Sequence, residues 1–120
     1  MQRDMDLVRA ILLKLEDYPH AFAPQPFEIG GFTKEQIGYH VALMHQAGLI
    51  EAVKVTAISD PSPSAIPLSL TWEGYEFLAT AKNESTWRKG TAAVFAKAGA
   101  VGFELLKSVL IAELRKEIGL

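Results

Sequence analysis

The chain has 120 residues, the size of one domain, and its 49% apolar and 22% charged side chains exclude a disordered polypeptide. It holds no cysteine, which excludes disulfides, thiolate zinc sites and cysteine nucleophiles and fits a reducing, cytoplasmic setting. The net charge is −2, but residues 1–82 carry six basic against ten acidic side chains while residues 83–120 carry six against four, so the front of the chain is acidic.

The opening residues, MQRDMDLVRAILL, put Asp4 and Asp6 where a signal peptide would be basic, so no leader is expected. A membrane span is not expected either. The most apolar stretch, Val101 to Leu114, is interrupted by Glu104, Lys107 and Glu113.

Asp4 to Asp17 reads as a helix, because Met5, Val8, Leu12 and Leu15 recur at spacings of three and four with Ile11 beside them. Asp4 or Asp6 can cap its start, and Tyr18-Pro19 ends it. The stretch from Pro19 to Gly31 is the least regular, with three prolines and two glycines, and Phe27-Glu28-Ile29 is expected to be a short strand. Thr33 to Ala47 is the second helix. Thr33 with Gln36 forms a capping box, Ile37, Val41 and Met44 form the buried stripe with His40 flanking it, and Gly48 terminates it. Leu49 to Ile58 is rich in β-branched residues and reads as a strand. The run Ser59-Asp60-Pro61-Ser62-Pro63-Ser64 turns the chain into a second strand, Ile66 to Leu70, completing a hairpin.

Three more helices are expected. Thr71 to Lys82 offers Trp72, Tyr75, Phe77, Leu78 and Ala81 to the core. A helix starting at Asn83 or Ser85 runs to Ala98 and stops at Gly99. The last helix runs from Val101 to Ile118. It has two apolar stripes, Phe103, Leu106, Leu110, Leu114 and Ile118 on one side and Leu105, Val109 and Ala112 on the other. Two apolar faces predict packing on two sides, so Leu105, Val109 and Ala112 are the candidate homodimer contacts. The resulting expectation is an α+β chain: residues 1–82 as one domain, residues 83–120 as a two-helix extension that serves oligomerisation.

Two segments carry a resemblance. The stretch His40-Val41-Ala42-Leu43-Met44-His45-Gln46-Ala47-Gly48-Leu49-Ile50 resembles the recognition-helix end of winged-helix repressors of the arsenic-repressor type. Leu70-Thr71-Trp72-Glu73-Gly74-Tyr75 resembles the Leu-Thr-x-x-Gly segment that follows the wing in the same proteins. Nearly the whole chain is also similar to the bacterial and prophage proteins of domain of unknown function 2513. That similarity is carried by RDMDLVRAIL, GFTKEQIGYHVALMHQAGLIEA and LTWEGYEFLATAKNESTW. It implies a winged helix-turn-helix fold with a β-hairpin wing, association with phages or other mobile elements, and a regulatory role.

If the resemblance extends to function, the outward residues of the second helix read DNA. They are Lys34, Glu35, Gly38, Tyr39 and Ala42, joined by Gln36 and His45. The candidate contacts are Lys34, Gln36, Tyr39 and His45. The charge distribution runs against this reading. The hairpin loop, Ile58 to Ala65, holds one charge, Asp60, and Glu35 repels phosphate. The alternative is a protein-binding module on the same scaffold, favoured by the acidic front and by the apolar loops Ala21-Phe22-Ala23-Pro24 and Ala65-Ile66-Pro67.

No enzyme is expected, and no cofactor. The three histidines are His20, His40 and His45. His40 and His45 are five apart on a helix and face different ways, and no carboxylate is spaced to complete a metal site with them. His40 is read as structural. Trp72 and Trp87 are read as packing anchors.

Overall fold

A computed structural model of the chain describes residues 1–99 and 102–120. Its elements are α1 (Met5–Asp17), α2 (Lys34–Gln46), β1 (Ile50–Lys54), β2 (Ala65–Leu70), α3 (Trp72–Ala81), α4 (Glu84–Ala98) and α5 (Phe103–Glu117). The class is mixed α+β, with five helices and a two-stranded antiparallel sheet among the described residues. The expected start of the last helix at Val101 lies outside the described residues. No helix among those described is long and apolar enough to cross a membrane. By internal contact the chain forms two compact units, Met1–Tyr75 and Glu76–Leu120. The division falls inside α3, whereas the expected domain boundary, 82/83, follows its end.

In the first unit α1 packs on α2 and β2, and α2 packs on both strands. The Asp4 side chain caps α1 by accepting from the Asp6 and Leu7 N–H groups. The periodic stripe of α1 is buried as expected, joined by Leu7, which is fully inaccessible. Burying each such side chain contributes on the order of 2 kcal/mol, so this stripe is a main source of the unit's stability.

The turn from α2 into β1 closes with the Leu49 N–H on the Met44 carbonyl at 3.0 Å. That turn needs φ of +80° at Gly48, a value that a side chain would strain. Thr71 then fastens the hairpin's end to the same turn. Its N–H donates to the Leu49 carbonyl at 3.1 Å, its hydroxyl donates to the Gly48 carbonyl at 2.6 Å, and it accepts the Gly74 N–H to start α3.

The first strand ends at Lys54, shorter than the Leu49–Ile58 expectation. Past Val55 the backbone finds side-chain partners instead of a ladder. Ser64 N–H donates to the Thr56 hydroxyl oxygen at 2.9 Å, and Ala57 N–H donates to the Asp60 carboxylate at 2.6 Å. Such local bonds compete with strand pairing.

The expected strand at Phe27–Ile29 is absent. Its backbone is held in other ways: Lys14 Nζ donates to the Glu28 carbonyl, and Phe32 N–H reaches the Ile29 carbonyl at 3.4 Å. The Phe27 ring meets the Tyr18 ring edge-on, centroids 6.4 Å apart, beneath the Lys14 ammonium.

The second unit is built on α4 against α5. Asn83 caps α4 through the Thr86 N–H at 2.9 Å. The buried Thr86 hydroxyl donates to Glu117 at 3.0 Å, joining the start of α4 to the end of α5. Phe77 lies against Trp87 and Phe103, with ring centroids 6.4 and 4.7 Å away.

Along α3 the buried residues are Gly74, Phe77, Leu78 and Ala81. That stripe places Trp72 and Tyr75 on the opposite side, 75% and 52% exposed, so these two are not the core residues the sequence suggests. Trp87, by contrast, is buried.

Candidate functional site

The first unit contains a groove enclosing about 890 Å³, within the range of ligand-sized sites. One wall is the irregular segment from Gln25 to Phe32. The other is the end of the hairpin, from Ser64 to Pro67 with Val55, and the first turns of α2 supply Lys34, Ile37 and Gly38. Its lining is mainly apolar and includes Phe27, Ile29, Phe32, Ile37, Ile66 and Pro67. Glu28 and Lys34 are the charged members, and both are exposed.

Each wall has a local cause. The 25–32 segment is rich in proline and glycine and belongs to no helix or strand, so its apolar side chains have no regular face on which to be buried. The hairpin loop lies close against α2 because residue 38 is glycine: a Cβ there would land on the Ser64 hydroxyl and come within 3.3 Å of Ser64 Cβ. Ser62 adds a hydroxyl bond to the Glu35 carboxylate at 2.9 Å.

The four residues expected to meet a partner on α2 fare differently. Lys34 is exposed at the first turn and lines the groove. Gln36 is engaged in the expected capping box: its Oε1 accepts the Thr33 N–H at 2.8 Å, while Thr33 Oγ1 accepts the Gln36 N–H at 3.1 Å. Tyr39 is half-buried, its ring edge-on to His40 at 6.1 Å. His45 is half-buried, with Nδ1 bonded to the Ile50 carbonyl at 3.1 Å. Gly38, expected to face outward with them, is buried beneath the hairpin loop. The arrangement therefore brings Lys34 to the groove and does not gather the other three there.

His40 is fully buried and both ring nitrogens have partners. Nε2 accepts the Asp4 N–H at 2.8 Å and Nδ1 donates to the Gln36 carbonyl at 2.8 Å, which fixes the neutral Nδ1–H tautomer. It is a structural joint between the start of α1 and α2. No group of three or more metal-binding side chains occurs among the described residues.

On α5, Leu106 and Leu110 are buried, whereas Leu105 is 48% exposed, Val109 half-buried and Ala112 exposed.

The groove is legible in the sequence in part. Ala65-Ile66-Pro67 stands out in the sequence as an apolar loop, whereas Ile29 and Phe32 join it from elsewhere in the chain. The available signal was a cluster of large apolar residues, Phe27, Ile29 and Phe32, inside a Gly/Pro-rich stretch with no periodicity to bury them.

Comparison with known proteins gives two matches. An uncharacterized protein of Haemophilus influenzae is 35% identical over 112 residues, which cover 91% of this chain and 92% of that protein. No solved structure matches the chain. A family model described as "Hypothetical protein (DUF2513)" matches residues 2–100, and the chain belongs to that family.

Proposed function

We propose that the chain is a protein-interaction module built on a winged-helix-like scaffold, acting in regulation through a protein partner and not by gripping DNA. The observation that carries the reading is the groove, whose lining is mainly apolar and whose charged members are one acid and one base. Apolar concave surfaces of this size suit protein or peptide contacts.

The scaffold reading rests on element order. Helix, helix, hairpin, helix is the order of a winged helix that lacks the helix ahead of the recognition helix, with α2 in the recognition-helix position and the β1–β2 loop as the wing.

Three features weigh against DNA as the partner. The Met1–Tyr75 unit holds five basic against nine acidic side chains, and phosphate contacts supply most of the affinity of a DNA-binding surface. Gln36, the residue best suited to adenine, is engaged in the helix cap. The 18–33 segment contains no helix to cross the DNA backbone ahead of α2.

Titration with random-sequence duplex DNA at two salt concentrations tests the reading. The expected result is no binding in the micromolar range even at low salt, roughly the strength typical of non-specific DNA contacts. Binding of that order that collapses as salt rises would return DNA to first place.

For assembly we propose a homodimer through Leu105, Val109 and Ala112. The double substitution Leu105→Glu with Val109→Glu is expected to give a folded monomer in analytical ultracentrifugation. An unchanged sedimentation coefficient would exclude that face.

A further inference from the structure

The hairpin loop holds an apolar side chain out into solvent on a braced turn. The Asp60 N–H donates to the Ala57 carbonyl at 3.0 Å, the bond that closes a tight turn, and the Ala57 N–H donates back to the Asp60 carboxylate at 2.6 Å. Behind this turn, the Ser64 N–H donates to the Thr56 hydroxyl oxygen at 2.9 Å, and that hydroxyl donates to the Ser64 carbonyl at 3.2 Å. Ile58 sits in the turn and is fully exposed. Its neighbours, Ala57 and Ser59, are small and do not screen it. Because the loop is already tied, little conformational entropy is lost when Ile58 is set against another surface.

Val55 and Ser64, where this loop leaves and re-enters the hairpin, both line the groove, so loop and groove adjoin on the first unit. They are complementary in two respects. The loop presents an apolar tip, and the half-buried Ile29, Phe32 and Ile66 give the groove an apolar lining. Residues 55–64 carry one charged side chain, Asp60, and the cation among the lining residues is Lys34, in the first turn of α2 where the helix dipole adds positive potential. A surface that carries a projection beside the hollow that suits it can pair with a copy of itself about a two-fold axis, each copy giving and receiving the same contact.

We propose that the groove receives the hairpin loop of a second copy of this chain, with Ile58 of each copy against the apolar lining of the other and Asp60 beside Lys34. This rests on the protein-interaction reading above and names the partner. Ile58 supplies the apolar anchor, and the Asp60–Lys34 pair sets the orientation more than the strength, because both groups stay exposed. Two loop tips cover less than the roughly 1,200 Å² at which stable interfaces begin, so the contact is weak and forms at high protein concentration. It is separate from the pairing through α5 and absent at the dilution at which that pairing is measured.

A concentration series on the chain carrying Leu105→Glu with Val109→Glu, which removes the α5 face, isolates the contact. Between about ten micromolar and about one millimolar, the NMR amide signals of Ile58, Phe32 and Lys34 are expected to move together while X-ray scattering reports a rising mass. The parent chain is expected to show the same shifts with further growth in mass, so the test does not depend on the double variant. Ile58→Asp changes a fully exposed side chain, keeps the fold by circular dichroism, and is expected to weaken association at least about tenfold. Asp60→Asn keeps an acceptor for the Ala57 N–H but loses the charge. It is expected to weaken association about threefold, and to have no effect in a Lys34→Ala background. Association undiminished by Ile58→Asp would place the contact elsewhere and overturn the proposal. Signals that stay fixed up to the highest concentration would overturn it too, and would leave the protein-interaction reading to be decided by the DNA titration.

Discussion

Helix α2 ties several of its polar side chains to neighbouring backbone and loop groups, whereas the irregular segment ahead of it leaves apolar side chains along an open groove. Gln36 closes the helix cap, His40 joins α2 to the start of α1, His45 holds the Ile50 carbonyl and Glu35 receives Ser62. In the 25–32 segment Phe27 is covered, but Ile29 and Phe32 are only half-buried and line the groove. The difference teaches that regular structure marks where the chain is fixed, not where it meets a partner. A helix satisfies its own backbone, so its side chains are available to tie neighbouring elements to it. A segment without a ladder or helical turn has neither a repeating face nor a place to bury it, and its apolar groups remain available for contact.

The comparison breaks most readily at His40. His40→Ala removes the acceptor of the part-buried Asp4 N–H and leaves a cavity at a fully buried position, and is expected to destabilise the fold by about 2–4 kcal/mol. Urea unfolding measures this, and a loss below about 1 kcal/mol would mean that the joint contributes little beyond an ordinary hydrogen bond.

Gly38→Val comes next. The new side chain meets Ser64 and forces the hairpin loop off α2, with an expected loss of about 1–3 kcal/mol in thermal unfolding. A variant as stable as the parent would show that the loop moves aside freely.

Thr33→Ala breaks the capping box, for an expected loss of about 1 kcal/mol. It also weakens the hold on Gln36, so the DNA titration repeated on this variant sharpens the comparison. Gain of salt-dependent binding would mean that the cap alone keeps α2 from DNA.

The smallest effect on stability is expected at Ile29→Asp. This half-buried groove residue should change unfolding free energy by no more than about 0.5 kcal/mol while abolishing the contact between copies at the groove. A large loss of stability would instead make Ile29 part of the core.

Local chemistry made much of the fold legible. Spacings of three and four predicted α1, α2 and α5, the Thr33/Gln36 pair predicted its capping box, and Gly48 predicted the turn out of α2. These features depend on neighbours within about one helical turn, which the sequence displays directly. The strand expected at Phe27–Ile29 failed because its backbone partners, Lys14 among them, lie elsewhere in the chain. Trp72 and Tyr75 failed because apolar character alone does not say which side of α3 is covered.

The candidate site divides in the same way. Lys34 and Ile66-Pro67 could be singled out from the sequence, but their meeting with Ile29 and Phe32 could not, since the groove joins segments separated by about thirty residues. Sequence alone determined the helices, the caps, the hairpin and the acidic balance of the first unit, because propensity, capping and charge act locally or by composition. Tertiary structure alone decided that Gly38 lies under the hairpin loop, that His40 receives Asp4, and that the 25–32 segment, α2 and the hairpin together line an apolar groove. Each of these depends on the packing of distant segments, where close approach and hydrogen-bond geometry, not residue type, select the contact.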